Sequence, residues 1–245
     1  MLKIPYARQY IDKNDTRSVS LVLKSDFLTT GPKVLEFEKK ISNYFGSKYT
    51  VAVNSATSAL HIACMAMGLE KNDYLWTTPI SFVASSNCAL YCGAKVDFVD
   101  IDNDSFNISI DKLEKKLIKT PKKKLPKIIV IVHLSGHPVD MIKIKQLSKK
   151  FKFKILEDAS HAAGSIYRNS KIGDCKYSDA CVFSFHPVKI ITTGEGGSIL
   201  TNSKKIYKLV SNLRSHGINR KIKIKKNPWH YDQENLGYNY RMNDI

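Results

Sequence analysis

The chain has 245 residues, with 39 Lys and Arg against 22 Asp and Glu, and a formal net charge of +17. Hydrophobic residues at 43% and charged residues at 25% are ordinary for a globular protein, which excludes wholesale disorder and a collagen-like chain. No uninterrupted apolar run approaches the ~18 residues of a membrane-spanning helix, and Met1–Arg8 lacks the apolar core of a secretory signal, so the expectation is a soluble cytoplasmic protein.

Residues 1–48 precede the strand–helix alternation and contain a helix-like stretch at Asp15–Lys24. Thr29–Pro32 is a turn by composition, and a second helical pattern follows at Lys33–Tyr44. From there short apolar runs alternate with amphipathic ones. Strands are predicted at Tyr49–Val53, Tyr74–Thr77, Lys95–Val99, Ile128–His133, Phe153–Leu156, Ala180–Phe185 and Gly197–Thr201. Helices are predicted between and after them at Thr57–Met67, Ile80–Tyr91, Ile110–Lys119, Met141–Phe151 and Lys204–Ser215. Several strands are continuously apolar, as strands buried on both faces of a parallel sheet are. The alternation predicts an α/β fold, a mostly parallel mixed sheet sandwiched between helices in three layers. Ligands of such sheets bind beyond the carboxyl ends of the strands, so the residues just after each strand are the ones to read for chemistry.

Charge and cysteine content argue for little else. Six of the basic residues are Arg and 33 are Lys, scattered along the whole chain. Nucleic-acid binders concentrate Arg and aromatics on one element, so neither a nucleic-acid nor a membrane partner is expected. The Lys-rich stretches Lys115–Lys127 and Arg220–Lys226, the latter followed by Asn227–Trp229, read as exposed loops. The five cysteines are odd in number and form no Cys-x-x-Cys pair, and the histidines show no metal-ligand spacing. No disulfide framework and no metal site is expected. Cys88 and Cys92 read as small buried groups on one helix.

Three strand ends carry chemistry. Asp158 lies at the mouth of a buried strand in Ile155–Gly164, where an acid is costly unless something cationic meets it; a helix N-cap is the alternative. Lys189 lies in an apolar, Gly-flanked loop, Ser184–Gly197. Burial there favours the neutral amine, which can form a Schiff base with an aldehyde. Asn54–Leu60 is a small, hydroxyl-rich turn into a helix, where free N–H groups and the positive helix end favour a phosphate. Together they ask for a cofactor with an aldehyde, a basic ring nitrogen and a phosphate arm, which describes pyridoxal 5′-phosphate (PLP). Lys189 would hold the aldehyde, Asp158 would keep the ring nitrogen protonated, and the Thr57/Ser58 turn with Ser184 would bind the phosphate.

The stretches Leu28–Pro32, Asn54–Ala59, Thr77–Phe82, Glu157–His161, Ser184–Lys189 and Gly237–Met242 resemble, in order and across essentially the whole chain, the DegT/DnrJ/EryC1/StrS family. Its members are PLP-dependent nucleotide-sugar aminotransferases of the aspartate-aminotransferase fold (fold type I). The resemblance implies that Lys189 carries the cofactor, that Asp158 pairs with the pyridinium, and that His161 lies beside it. It implies that Phe82 stacks on the ring and that Ala56, Thr57 and Ser184 contact phosphate or substrate. Tyr6 and the segment Asp26, Phe27, Leu28 and Thr29 are similar to an arm (residues 1–30) that lines the sugar site, ahead of a PLP-binding large domain (31–245). Asn239 resembles the residue a neighbouring subunit donates to the phosphate, which implies a homodimer with shared active sites. Glu195 is expected to serve its own loop.

Within the family, Ile4–Gln9 and Ser81–Asn87 look like the branch that aminates C4 of a UDP-4-keto-6-deoxy-N-acetylhexosamine in pseudaminic acid synthesis, with L-glutamate as donor. Perosamine and 4-amino-4-deoxyarabinose precursors are the alternative substrates. A family dehydratase would carry His where Lys189 stands, which disfavours dehydration. The chain ends at Met242–Ile245, in the middle of the segment that resembles the family's dimer-and-phosphate motif, so a C-terminal small domain is expected to be missing. A truncated, inactive homologue acting as a basic binding protein is therefore the reading from another class.

Overall fold

Asp12 starts the first helix, α1 (Lys13–Leu23), by accepting from Asn14 N and Asp15 N, while Asp15 reaches back to the Asp12 N–H. This reciprocal capping box satisfies donors that a helix start otherwise leaves open. The computed structural model that shows this describes residues 4–219 and 231–245. Arg220–Lys226 and Asn227–Trp229, read above as an exposed loop, lie outside the described residues.

The second helix, α2 (Pro32–Phe45), has Pro in its first turn and ends on Gly46 at φ 85°. Gly31 supplies no side-chain cap, and the chain's far end provides one instead. Asp244 Oδ2 accepts from Gly31 N at 2.8 Å and its Oδ1 from Lys33 N at 2.8 Å. Asp244→Ala is expected to lower the unfolding free energy by about 1 kcal/mol, and Asp244→Asn by less. Urea denaturation checks this, and an unchanged midpoint for the Ala variant would contradict it.

The remaining elements follow in order: β1 (Tyr49–Val53), α3 (Ala56–Ala66), β2 (Tyr74–Thr77), α4 (Ala84–Tyr91), β3 (Lys95–Phe98), α5 (Ile110–Lys119), β4 (Ile128–Val132), α6 (Met141–Phe151) and β5 (Lys154–Asp158). A short hairpin of β6 (Ile166–Tyr167) and β7 (Ser170–Lys171) precedes β8 (Ala180–Ser184), β9 (Gly197–Thr201) and α7 (Lys204–Leu213). The last pair is β10 (Ile218–Asn219) with β11 (Asp232–Gln233).

Seven strands form one sheet in the order β1-β9-β8-β5-β4-β2-β3. The strands from β8 to β3 run parallel, whereas β9 is antiparallel to both β1 and β8. Alternating side chains pack on opposite faces. Val130, Leu156, Val182 and Ile199 meet Leu60, Ile62, Ala89 and Val210 of α3, α4 and α7. Ala52, Phe183 and Leu200 meet Val34, Ile41 and Phe45 of α2, and Ile129, Ile131 and Ile155 meet Leu113, Leu117 and Ile144 of α5 and α6. This is the three-layer architecture expected from the alternation.

The structure departs from the sequence reading at four places. The fourth helix begins at Ala84, not Ile80, because Pro79–Val83 forms the connection from β2. Lys115–Lys119 belongs to α5, where Lys116 lies over the Trp76 ring and pairs with Asp97 at 2.7 Å, so only the later part of that Lys-rich stretch is loop. β3 lies at the sheet edge and is half exposed, unlike the fully buried β4. Cys88 is buried as expected, but Cys92 sits just past the end of α4 and is half-buried. Among the described residues no helix is long and apolar enough to cross a membrane, and no His, Cys, Asp and Glu cluster could hold a metal.

One ion pair ties the layers together. Arg214, after α7, donates to Glu38 of α2 and to the Ala52 carbonyl of β1, and Glu38 also accepts from Ala52 N. Both side chains are largely buried.

Candidate active site

The parallel strands β2, β4, β5 and β8 end at Thr77, Val132, Asp158 and Ser184, and the loops that follow them carry the predicted residues. Asp158 is only 5% exposed. Its Oδ2 accepts from the Ser85 hydroxyl at 2.6 Å, and its Oδ1 accepts from the Ser160 hydroxyl at 2.6 Å and from Ser160 N at 3.2 Å. No helix follows β5, so the helix-cap alternative is not realised; Asp158 closes a two-residue turn. Among the described residues no Lys, Arg or His forms an ion pair with it. A buried carboxylate met only by neutral donors lacks an ion-pair partner, and a protonated ring nitrogen is the kind of group that supplies one.

Lys189 lies in the loop between β8 and β9. The loop is fixed by its own backbone: Phe185 N donates to Gly196 O at 2.9 Å, Thr193 N to Phe185 O at 3.0 Å and Lys189 N to His186 O at 2.8 Å. Thr192 Oγ1 also donates to Phe185 O at 2.9 Å, and Val188 N to His186 Nδ1 at 3.3 Å. Burial lowers the Lys189 ammonium below its ordinary pKa, and the negative charge of Asp158 acts the other way. This is the direction a nucleophilic amine requires. His161 is in the same electrostatic neighbourhood. Burial and the Lys189 charge lower its pKa, while Asp158 raises it. Its Nδ1 accepts from Ser135 N at 3.3 Å.

The anion-binding turn is built by close packing. Gly197 pairs with both Val53 of β1 and Ser184 of β8, which places those two strand ends around it. A Cβ on Gly197 would lie 2.5 Å from Ala56 N, so only glycine lets the start of α3 press against the sheet. Ala56 and Thr57 open that helix, where N–H groups have no acceptor within the helix. Ser55 caps it by accepting from Ser58 N at 3.1 Å. Ser58 itself is buried, with its hydroxyl 3.0 Å from that of Ser55. Ser184 is half-buried at the end of β8.

Phe82, a candidate for ring stacking, is 70% exposed and therefore no core aromatic. Asn239 is exposed on a segment held beside this corner by Asn54 N donating to Tyr240 O at 2.9 Å and by a bridge between Val53 and Arg241. Tyr6 is fully exposed. Asp26, Phe27, Leu28 and Thr29 are exposed too, and are held by Asp244 N donating to Leu28 O at 2.9 Å and by a bridge between Thr29 and Asn243. The structure thus gathers Lys189, Asp158 and His161, and groups Ala56, Thr57 and Ser184 around Gly197. No described hydrogen bond joins the arm to either set.

Sequence reasoning missed the two hydroxyls on Asp158, the Ser55 cap and a buried pair behind the site. His133 Nδ1 accepts from Val139 N at 3.2 Å, which leaves the ring proton on Nε2, 2.8 Å from Glu157 Oε2. The His133 N–H donates to the Asp158 carbonyl at 3.1 Å.

Residues 9–245 match the DegT/DnrJ/EryC1/StrS aminotransferase family. A Campylobacter jejuni UDP-4-amino-4,6-dideoxy-N-acetyl-beta-L-altrosamine transaminase is 44% identical over 242 residues, covering 99% of this chain and 61% of the relative. The Helicobacter pylori aminotransferase PseC, involved in pseudaminic acid biosynthesis, superposes with a TM-score of 0.89 at 35% identity, over 99% of this chain and 62% of that one. A sugar aminotransferase structure from Streptococcus pneumoniae in its PLP form gives 0.86 at 30% identity, over 98% of this chain and 63% of that one. The chain therefore spans about three-fifths of the length of the relatives it matches, and its three-layer fold is that of these aminotransferases.

Proposed function

Because this chain belongs to the DegT/DnrJ/EryC1/StrS aminotransferase family, we propose that it is a PLP-dependent aminotransferase that moves an amino group from L-glutamate to C4 of a UDP-4-keto-6-deoxy-N-acetylhexosamine, as in pseudaminic acid synthesis. The observation that carries this reading is the buried Asp158 carboxylate, held by neutral donors alone and within electrostatic reach of the half-buried Lys189. The sugar rests on the printed activities of the Campylobacter and Helicobacter relatives. We read residues 1–30 as an arm and 31–245 as the large domain of a cytoplasmic homodimer, with Asn239 offered to the neighbouring subunit's site.

When bound, PLP supplies an aldehyde that accepts an amino group and a ring that stores the electron pair left when a carbon next to nitrogen loses its proton. The chain's residues do the rest. Lys189 Nζ would hold the aldehyde between turnovers and, as a free amine, would take the donor's α-proton and carry it as a general base and acid. The Asp158 carboxylate would pair with the ring nitrogen and keep its proton in place. Phe82 would cover the ring, and His161 would help to hold it near Asp158. The Ala56 and Thr57 N–H groups and the Ser184 hydroxyl would hold the phosphate at the positive end of α3.

Loaded with PLP and given L-glutamate and the UDP-4-keto sugar, the protein is expected to release 2-oxoglutarate and the 4-amino sugar in equal amounts. Amination of a GDP-linked or pentose keto sugar alone would overturn the sugar assignment. No 2-oxoglutarate with any keto sugar would overturn the aminotransferase reading.

A further inference from the structure

Ser85 is the second residue of α4, is 1% exposed, and donates its hydroxyl to Asp158 Oδ2 at 2.6 Å across 73 residues of sequence. One turn earlier, Ser81 places its own hydroxyl 3.0 Å from that of Ser85. A hydroxyl has a single proton, and an ionised carboxylate only accepts. Ser85 therefore spends its proton on Asp158, and Ser81 is the donor to Ser85. The chain of hydroxyls runs one way, from Ser81 through Ser85 to the carboxylate, each bond polarising the next.

A serine in a helix ordinarily turns its hydroxyl back to a carbonyl of the preceding turn; Ser85 does not. The start of α4 has no side-chain cap, so its positive end also lies beside the Asp158 charge. Neutral donors fix the carboxylate without cancelling its charge. A Lys or Arg in place of Ser85 would form an ion pair and compete with a protonated ring nitrogen.

We infer that Ser85 is a positioning residue for the cofactor: with Ser81 behind it, its hydroxyl holds the Asp158 carboxylate in the orientation and charge state that receive the protonated pyridine nitrogen. This rests on the PLP reading proposed above. Ser160 secures the other oxygen, and its bond lies within a two-residue turn that any Asp–x–Ser sequence can make; the Ser85 contact comes from a different layer of the fold.

The test is a titration of the purified protein with PLP, following visible absorbance and its pH dependence, for the wild type, Ser85→Ala, Ser85→Thr, Ser81→Ala and Asp158→Asn. Ser85→Ala is expected to weaken PLP binding about 10-fold or more, as loss of a hydrogen bond to a charged group does, and to move the absorbance transition of the bound cofactor to lower pH. Ser85→Thr should restore both. Ser81→Ala should shift both in the same direction by less, and it decides the matter if Ser85→Ala does not fold. Wild-type affinity and an unmoved absorbance transition in folded Ser85→Ala, or in Ser81→Ala should Ser85→Ala not fold, would overturn the inference alone. A wild type that takes up no PLP would overturn the aminotransferase reading and this inference with it.

Discussion

Lys189→Ala abolishes transamination in this account. Removal of a positioned acid–base amine costs about 10²–10⁴-fold in rate, and the same Nζ is the attachment point of the cofactor, so turnover falls to the limit of detection. Stability should change little, since no described hydrogen bond or ion pair uses the Lys189 side chain. The wild-type amine should react with PLP with a pH midpoint below the ordinary lysine value of 10.5, because burial disfavours the ammonium form. The linkage has a definite sign. Between the lowered and the ordinary value the unfolded chain binds more protons than the folded one, so stability rises with pH through that window. Product formation by stopped assay, with circular dichroism as the folding control, checks the prediction. Near-wild-type turnover in Lys189→Ala would contradict it.

Glu38→Ala is expected to be the most destabilising single substitution proposed here. It leaves the Arg214 guanidinium largely buried, with the Ala52 carbonyl but no carboxylate, and removes the acceptor of Ala52 N. Breaking a buried pair by deleting one partner costs about 3–5 kcal/mol, which for a chain of this size corresponds to a fall of roughly 6–20 °C in Tm. Glu38→Gln keeps acceptors for both donors and should lose less. Loss of the pair should also loosen β1, whose end precedes the Ala56 turn, so PLP affinity should fall along with stability. Calorimetry of both variants checks the order, and an Ala variant as stable as the wild type would show that the pair does not hold the layers together.

The sheet was legible because its strands are written in an unambiguous composition. Ile128–Val132 has no polar residue, and burial on both faces of the sheet requires none. Lys189 and Asp158 were legible for the opposite reason: a charge where a buried strand ends needs a partner, and the two needs matched one cofactor. The direction of β9 was not legible, because Gly197–Thr201 is as fully buried as the parallel β4 and pairing direction depends on connections rather than composition. Ser85 was hidden because a serine four residues after another serine in a helical stretch reads as ordinary surface. Only folding brings it to Asp158. Asp244 was hidden in the same way: its partners Gly31 and Lys33 lie more than 200 residues away, and the sequence near α2 shows only a helix without a cap. The start of α4 was misplaced because Ile80 and Val83 fit a helical spacing, although Pro79 holds the preceding segment extended.

The claim that Lys189 carries PLP is the one on which the rest depends. Borohydride reduction of the PLP-saturated protein followed by peptide mass spectrometry tests it directly. The account predicts one phosphopyridoxyl adduct, on the peptide containing Lys189, and its disappearance when L-glutamate is added before reduction. An unmodified Lys189 in cofactor-saturated protein, or an adduct spread over the chain's other lysines, would contradict it.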